Sequence, residues 1–210
     1  MTPAAAGLLA LAAVGAALDW AAKARGWRTR PMTKAAVIAL LVGVALALQP
    51  VVPAQRGWVL GALALSLVGD LALLSPRRLA WGGLAFAGAH GCHLVGFALR
   101  DAPPAGTPGL GILLVAAVLV ASTALPALRE QQGTAVAAGA AAYLMVLAAL
   151  VVGAVRDGGP LAVLGAGLFA ASDLALLHDR ARGGVRGLGV LATAGYHLAQ
   201  GALVASLALG

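Results

Sequence analysis

Two aspartates and several imidazoles stand inside long apolar runs of this chain. An ionisable side chain there costs roughly 2.5–3.5 kcal/mol to insert, so each one needs a physical reason. Asp70 and Asp173 lie late in the third and seventh runs. His90 and His93 share a face of the fourth run at i, i+3. Thr193, Tyr196, His197 and Gln200 make a polar stripe at i, i+3, i+4, i+7 in the eighth. Tyr143 stands in the sixth run, Ser66 one turn before Asp70, and Ser172 directly before Asp173. Two carboxyls with imidazoles beside them suit acid–base chemistry. An apolar setting favours a neutral carboxyl that can donate a proton, while a second carboxylate can stabilise a cation. Two other chemistries use the same residue types. Two Asp with two or three His can ligate a metal, although no HExxH-like spacing is present. Acids at the membrane midplane also suit a proton-coupled carrier.

Taken singly, these residues have plainer readings. Asp70 or Asp173 could bond helix to helix, or pair with Arg77, Arg78 or Arg180. His93 alone reads as a packing histidine. Asp19 reads as the i, i+4 partner of Lys23, and His178 as a loop residue. Gly83, Gly88, Gly91 and Gly195 read as points of close helix approach. Only the joint pattern favours a site.

The elements that must hold this pattern are transmembrane helices. The 210 residues are 61% hydrophobic and 10% charged. That composition cannot supply the polar surface of a soluble domain. Apolar runs of bilayer-crossing length place spans at Ala4–Ala22, Lys34–Gln49, Gly57–Leu74, Ala80–Leu99, Gly109–Leu128, Thr134–Val155, Pro160–Leu177 and Leu188–Leu209. The expected fold is therefore all-α, a single domain of eight transmembrane helices. The first run has no basic segment before it and reads as a span rather than a cleaved signal. Pro, Gly and charge punctuate the connections, as in Ser75-Pro76-Arg77-Arg78, Pro103-Pro104 and Asp157-Gly158-Gly159-Pro160. The one cysteine, Cys92, stands inside a span and can make no intrachain disulfide.

The net charge of +7 does not point to nucleic acid, because the cations sit in short loops. Of the 14 Lys and Arg, only Arg56, Arg100 and Arg156 fall in the even-numbered connections. The rest, including Lys23, Arg30, Lys34, Arg77, Arg78, Arg129, Arg180 and Arg186, fall in the odd ones. This asymmetry places the odd loops in the cytoplasm and both termini outside. The intramembrane acids and imidazoles then occupy the inner half of the membrane, as a cavity open to the cytoplasm would require. A possible parallel duplication is also visible. Gly69-Asp70-Leu71-Ala72-Leu73-Leu74 recurs as Ser172-Asp173-Leu174-Ala175-Leu176-Leu177 at an offset of 103 residues, suggesting half-repeats 1–105 and 106–210.

The chain resembles the YhhN family of eight-span, lysoplasmalogenase-like membrane proteins. The resemblance runs from about Arg30 to Gln200 and rests on Arg30-Pro31, Gly69-Asp70, Phe86 to His90, Phe169 with Ser172-Asp173, and Tyr196 with Ala199-Gln200. Arg30 replaces a lysine, and His93 and His197 stand where many relatives carry tyrosine or another residue. The resemblance implies hydrolysis of the vinyl ether bond of a lysoplasmalogen to a fatty aldehyde and a glycerophospho-ethanolamine or -choline. Its partners would be a lysophospholipid substrate and membrane lipid. No cofactor is expected, and a bound metal is the less favoured alternative. Asp70 and Asp173 would divide the acid and cation-stabilising roles in either order. His90 or His197 would orient water or shuttle the proton. Arg30 and Lys34 would hold the headgroup phosphate, with Ser66, His93, Tyr143, Ser172, Tyr196 and Gln200 lining the substrate. A bacterial inner membrane, with the site facing the cytoplasm, is the expected setting.

Overall fold

The computed structural model describes residues 2–100 and 110–209. Among these, the chain forms eight α-helices and one 3-10 turn, with no strand. The helices are α1 (Pro3–Arg25), α2 (Arg30–Ala47), α3 (Gln55–Ala72), α4 (Leu79–Ala98), α5 (Leu110–Gln132), α6 (Thr134–Asp157), α7 (Pro160–Ala181) and α8 (Leu188–Leu209). The 3-10 turn spans Pro76–Arg78 and links α3 to α4. Local chemistry sets the ends. Thr2 caps α1 by accepting from the Ala5 N–H at 3.1 Å, and its hydroxyl donates to Ala47 O at 3.0 Å, tying the start of α1 to the end of α2. Gly26, at φ 65°, closes α1 in a left-handed conformation that a side chain would strain. Pro31 and Pro160 stand in the first turns of α2 and α7, where a missing N–H costs nothing.

Among the described residues, five helices, α1, α2, α6, α7 and α8, are long and apolar enough to cross a membrane. Polar and glycine residues lower the mean hydropathy of α3 and α4, which carry Gln55, Arg56, Ser66 and Asp70 in one case and His90 and His93 in the other. The chain is an all-helical membrane protein. Its outer surface carries large apolar residues such as Leu18, Trp81, Leu84, Met145 and Leu198. A water-facing surface would not carry so many, whereas lipid accepts them.

Several boundaries differ from the expected spans. The fifth helix continues past Leu128 to Gln132, so Arg129 lies in its last turn rather than in a loop. The seventh continues to Ala181, which puts His178 in a helix and Asp173 two turns, not one, from its end. Helix α2 begins at Arg30, so Lys34 lies in its second turn. In each case polar residues continue a helix beyond its apolar stretch, because the backbone bonds persist after hydropathy falls. The Pro103-Pro104 connection lies outside the described residues.

Helix α1 packs on α2, α3 on α4, and α7 on α8. The halves of the chain meet where α4 packs on α6 and α2 on α8. The core at these seams is built of Ile38, Leu41, Leu63, Leu150, Phe169 and Leu203, with many alanines. Of the glycines expected at close approaches, Gly88 and Gly195 are at them, where a Cβ would meet Leu65 at 3.2 Å and Ser172 at 3.4 Å. Gly83 and Gly91 face open space. A Cβ on Gly69 would sit 2.7 Å from the Phe86 ring. One on Gly165 would sit 2.7 Å from Leu203 and 3.1 Å from the carbonyl oxygen of Ala199. At Gly165 the obstacle includes backbone, which cannot rotate aside. Gly165→Ala is therefore expected to cost about 1–3 kcal/mol by overpacking. A lowered melting temperature in detergent would show this, with Gly83→Ala unchanged as the control.

Candidate active site between the two halves

Helices α2, α3 and α8 converge on Asp70. It is 2% exposed. The Lys34 ammonium lies 2.6 Å from Asp70 Oδ1, and the Tyr196 hydroxyl donates to Asp70 Oδ2 at 2.8 Å. Lys34 Nζ also stands 5.0 Å from the centroid of the Tyr196 ring, a cation–π distance. Gln200, one turn along α8, donates to Ser66 Oγ at 2.9 Å and lies 3.4 Å from the Tyr196 hydroxyl. Lys34, Ser66, Asp70, Tyr196 and Gln200 thus form one connected network. The partner of Asp70 is Lys34, not Arg77 or Arg78.

A second network surrounds Asp173. The Tyr143 hydroxyl donates to Asp173 Oδ2 at 2.6 Å. His90 Nε2 lies 3.0 Å from that hydroxyl oxygen and 3.7 Å from the same carboxylate oxygen. Since the Tyr143 proton points to Asp173, the phenol oxygen accepts from His90, which must carry its proton on Nε2. His90 is fully buried, whereas the Asp173 side chain is 13% exposed. Asp173 is therefore the carboxyl with access to its surroundings, and Asp70 the enclosed one.

Phe169 separates the networks. Its ring meets His90 edge-on at 4.5 Å and Tyr196 at 5.4 Å, and Phe86 closes the other side of Tyr196 at 5.8 Å. Each aspartate takes one partner from the helix preceding its own and one from the last helix of the other half. Asp70 on α3 is held from α2 and α8, Asp173 on α7 from α6 and α4. Gly69 keeps the α3 backbone close to Phe86, which explains why a glycine precedes this acid.

Other expected site residues stand apart. Ser172 donates to Ala192 O at 2.6 Å and links α7 to α8. His197 accepts the indole N–H of Trp20 at Nδ1, 3.0 Å away. His93 stacks near Phe97 and its Nε2 has no partner. The Arg30 carbonyl accepts from Thr33, and its guanidinium Nε is buried without a partner. Asp19 accepts from Thr33 at 2.8 Å rather than pairing with Lys23. Lys23 donates instead to Thr193 at 2.7 Å.

Sequence reasoning also missed a second buried polar group. Gln55 donates to Gly96 O at 2.9 Å and to Asp157 at 3.3 Å, and Arg100 lies 3.7 Å from Asp157. Gln55 opens α3, fifteen residues before Asp70 and about 22 Å away along the helix. Not every buried polar residue therefore lies at one end of the bundle. Asp157 reads in sequence as a turn residue because Gly158-Gly159-Pro160 follows it. Among the described residues, no three His, Cys, Asp or Glu side chains gather as a metal site would require.

The Lys34–Asp70 pair makes a stability test. Removing one member of a buried ion pair leaves the other charge uncompensated, at about 3–5 kcal/mol. Lys34→Met should lower thermal stability in detergent sharply, and Lys34→Met with Asp70→Asn should regain much of the loss. A double variant no more stable than the single one would mean that the pair is not coupled.

No curated protein and no solved structure matches the chain. A model of the YhhN family matches residues 29–207. The matched region holds all of α2 to α7 and nearly all of α8, with both aspartate networks. It leaves out all of α1, with Trp20 and Lys23. The chain belongs to the YhhN family.

Proposed function

We propose that this protein is a lysoplasmalogenase, hydrolysing the vinyl ether bond of a lysoplasmalogen to a fatty aldehyde and a glycerophospho-ethanolamine or -choline. Family membership supports a lipid hydrolase. The observation that carries the reading is the pair of aspartates in unlike settings, Asp70 bonded to an ammonium and Asp173 to a phenol backed by an imidazole. A vinyl ether is cleaved by protonating its β-carbon, which leaves an oxocarbenium ion on the carbon bearing oxygen. Asp173 is the better placed donor because its side chain is partly accessible. The carboxylate left on Asp173 by that transfer is the negative charge that faces the cation, while Asp70, its charge already met by Lys34 and Tyr196, holds α2, α3 and α8 together around the site. Water then adds to the cation and gives its proton to the Asp173 carboxylate. Collapse of the hemiacetal breaks the carbon–oxygen bond, freeing the aldehyde, and the glycerol oxygen takes the proton. One water is consumed and Asp173 regains its proton. His90 acts through Tyr143 to hold Asp173 in place.

The helices carry the rest of the reading. We take all eight as spans, with both termini outside, the halves related as parallel repeats and the site reached from the cytoplasmic side of a bacterial inner membrane. The shared pattern of partners around the two aspartates supports the repeat, and the loop charges support the orientation.

Purified protein given 1-alkenyl, 1-alkyl and 1-acyl lysophosphatidylethanolamine should release aldehyde from the alkenyl lipid alone. Fatty acid from the acyl lipid instead would move the chemistry to ester hydrolysis. Asp173→Asn should lower kcat by roughly a hundredfold or more, the usual scale for a lost general acid. Full turnover by folded Asp173→Asn would remove it from that role. Tyr143→Phe, which keeps the ring and loses one hydrogen bond to the acid, should give a smaller loss, about tenfold.

A further inference from the structure

Histidine can donate from either ring nitrogen, and its neighbours decide which. The indole N–H of Trp20 can only donate. Its 3.0 Å bond to His197 Nδ1 therefore makes Nδ1 an acceptor and places the proton on Nε2. His197 is 5% exposed, and its Nε2 is buried without a partner. A buried N–H donor left unsatisfied is costly, and in a native site it points to a ligand acceptor.

The surroundings say what kind of acceptor. Arg30 and Lys34 stand one turn apart at the start of α2. Lys23 is anchored one turn away on α8 through Thr193, and Lys34 lies over the ring of the adjacent Tyr196. Arg30 Nε is a second buried donor without a partner. Of the nearby carboxylates, Asp70 pairs with Lys34, Asp19 accepts from Thr33 through one oxygen while its Oδ2 has no partner, and Asp179 flanks Gly189 together with Lys23. Two buried orphan donors, His197 Nε2 and Arg30 Nε, therefore stand in a cluster that holds Lys23 and Lys34, a setting that can take an anion.

We propose that Trp20 holds His197 in the Nε2–H tautomer so that His197, with Arg30 and Lys23, binds the phosphate of the lipid headgroup. This deepens the lipid-hydrolase reading by naming the part of the substrate that the family's own acids do not touch. It gives His197 a binding role in place of proton transfer. Trp20 is a positioning residue, acting only through the imidazole. The phosphate sits at the inner end of α1, α2 and α8, and Tyr196 joins this anchor to Asp70.

The test is binding by the full chain in detergent micelles. Its probes are 1-O-alkyl lysophosphatidylethanolamine, which has no vinyl ether to cleave, the matching 1-O-alkylglycerol, which has no phosphate, and inorganic phosphate as competitor. His197→Leu should weaken the phospholipid by about ten- to a hundredfold, the scale for losing a hydrogen bond to a charged group, and leave the alkylglycerol unchanged. His197→Gln, which restores an N–H at similar reach, should regain most of the affinity. Trp20→Phe should weaken only the phospholipid, by a smaller factor. The 15N spectrum of the imidazole should then change from one tautomer to a mixture. Displacement of the lysolipid by inorganic phosphate would assign the site to phosphate as such. Failure to displace, with the two lipids still discriminated, would assign it to the lipid headgroup. Unchanged phospholipid binding in folded His197→Leu, or equal weakening of both lipids, would overturn the proposal. Neither probe lipid can be hydrolysed at a vinyl ether, so this result stands apart from the turnover experiment.

Discussion

A carboxylate as enclosed as Asp70, inside a bundle wrapped in lipid, survives only if its charge is met on the spot. The Lys34 ammonium meets it at 2.6 Å and Tyr196 supplies a second bond. With only 2% of its surface exposed, Asp70 has little water to take over either role. Much of the architecture follows from this requirement. Helix α2 must present Lys34 inward from its second turn, and α8 must bring Tyr196 across the seam between the halves. Helix α3 must also lie close to Phe86, which the lack of a side chain at Gly69 permits. A bundle with the same apolar residues but another helix arrangement would strand the charge.

The same constraint has a second solution at Asp173. Here no cation makes a direct bond. A phenol donates to the acid and an imidazole donates to the phenol, so the group is held by hydrogen bonds and keeps some access to its surroundings. Two identical side chains thereby acquire different capacities, one enclosed and permanently paired, the other able to reach a reactant. The difference lies in the partners and not in the acids, the pattern by which acid–base pairs divide their roles elsewhere. Phe169 keeps the two hydrogen-bond networks from merging.

Much of the site was legible before any helix was placed. Asp70, His90, Tyr143, Asp173, Tyr196 and Gln200 each stand out because polar side chains are rare in apolar runs, and the structure brings all of them into the two networks. Lys34 was also legible, but as a residue of the helix entrance and a contact for phosphate. Its bond to Asp70 depends on the angle between α2 and α3. Trp20 carried no signal, since an indole near a membrane interface is ordinary. Asp157 was hidden by the turn residues beside it. His93 and His197 share helix faces with site residues, yet each is turned to a different neighbour, Phe97 in one case and Trp20 in the other.

Hydropathy, loop charge and helical spacing by themselves determined that this is a helical membrane protein and which polar residues its helices must accommodate. These are properties of local runs, and burial in lipid leaves an apolar run of that length little choice but helix. The fold alone decided which acid meets an ammonium and which a phenol, and that His197 faces Trp20. It also decided that Gly69, Gly82, Gly153 and Gly165 are tightly packed while Gly83 and Gly91 face open space. Those outcomes depend on rotation about each helix axis and on which helices adjoin. Both are set by packing among residues more than a hundred positions apart, as between Tyr196 and Asp70, and no local pattern encodes them.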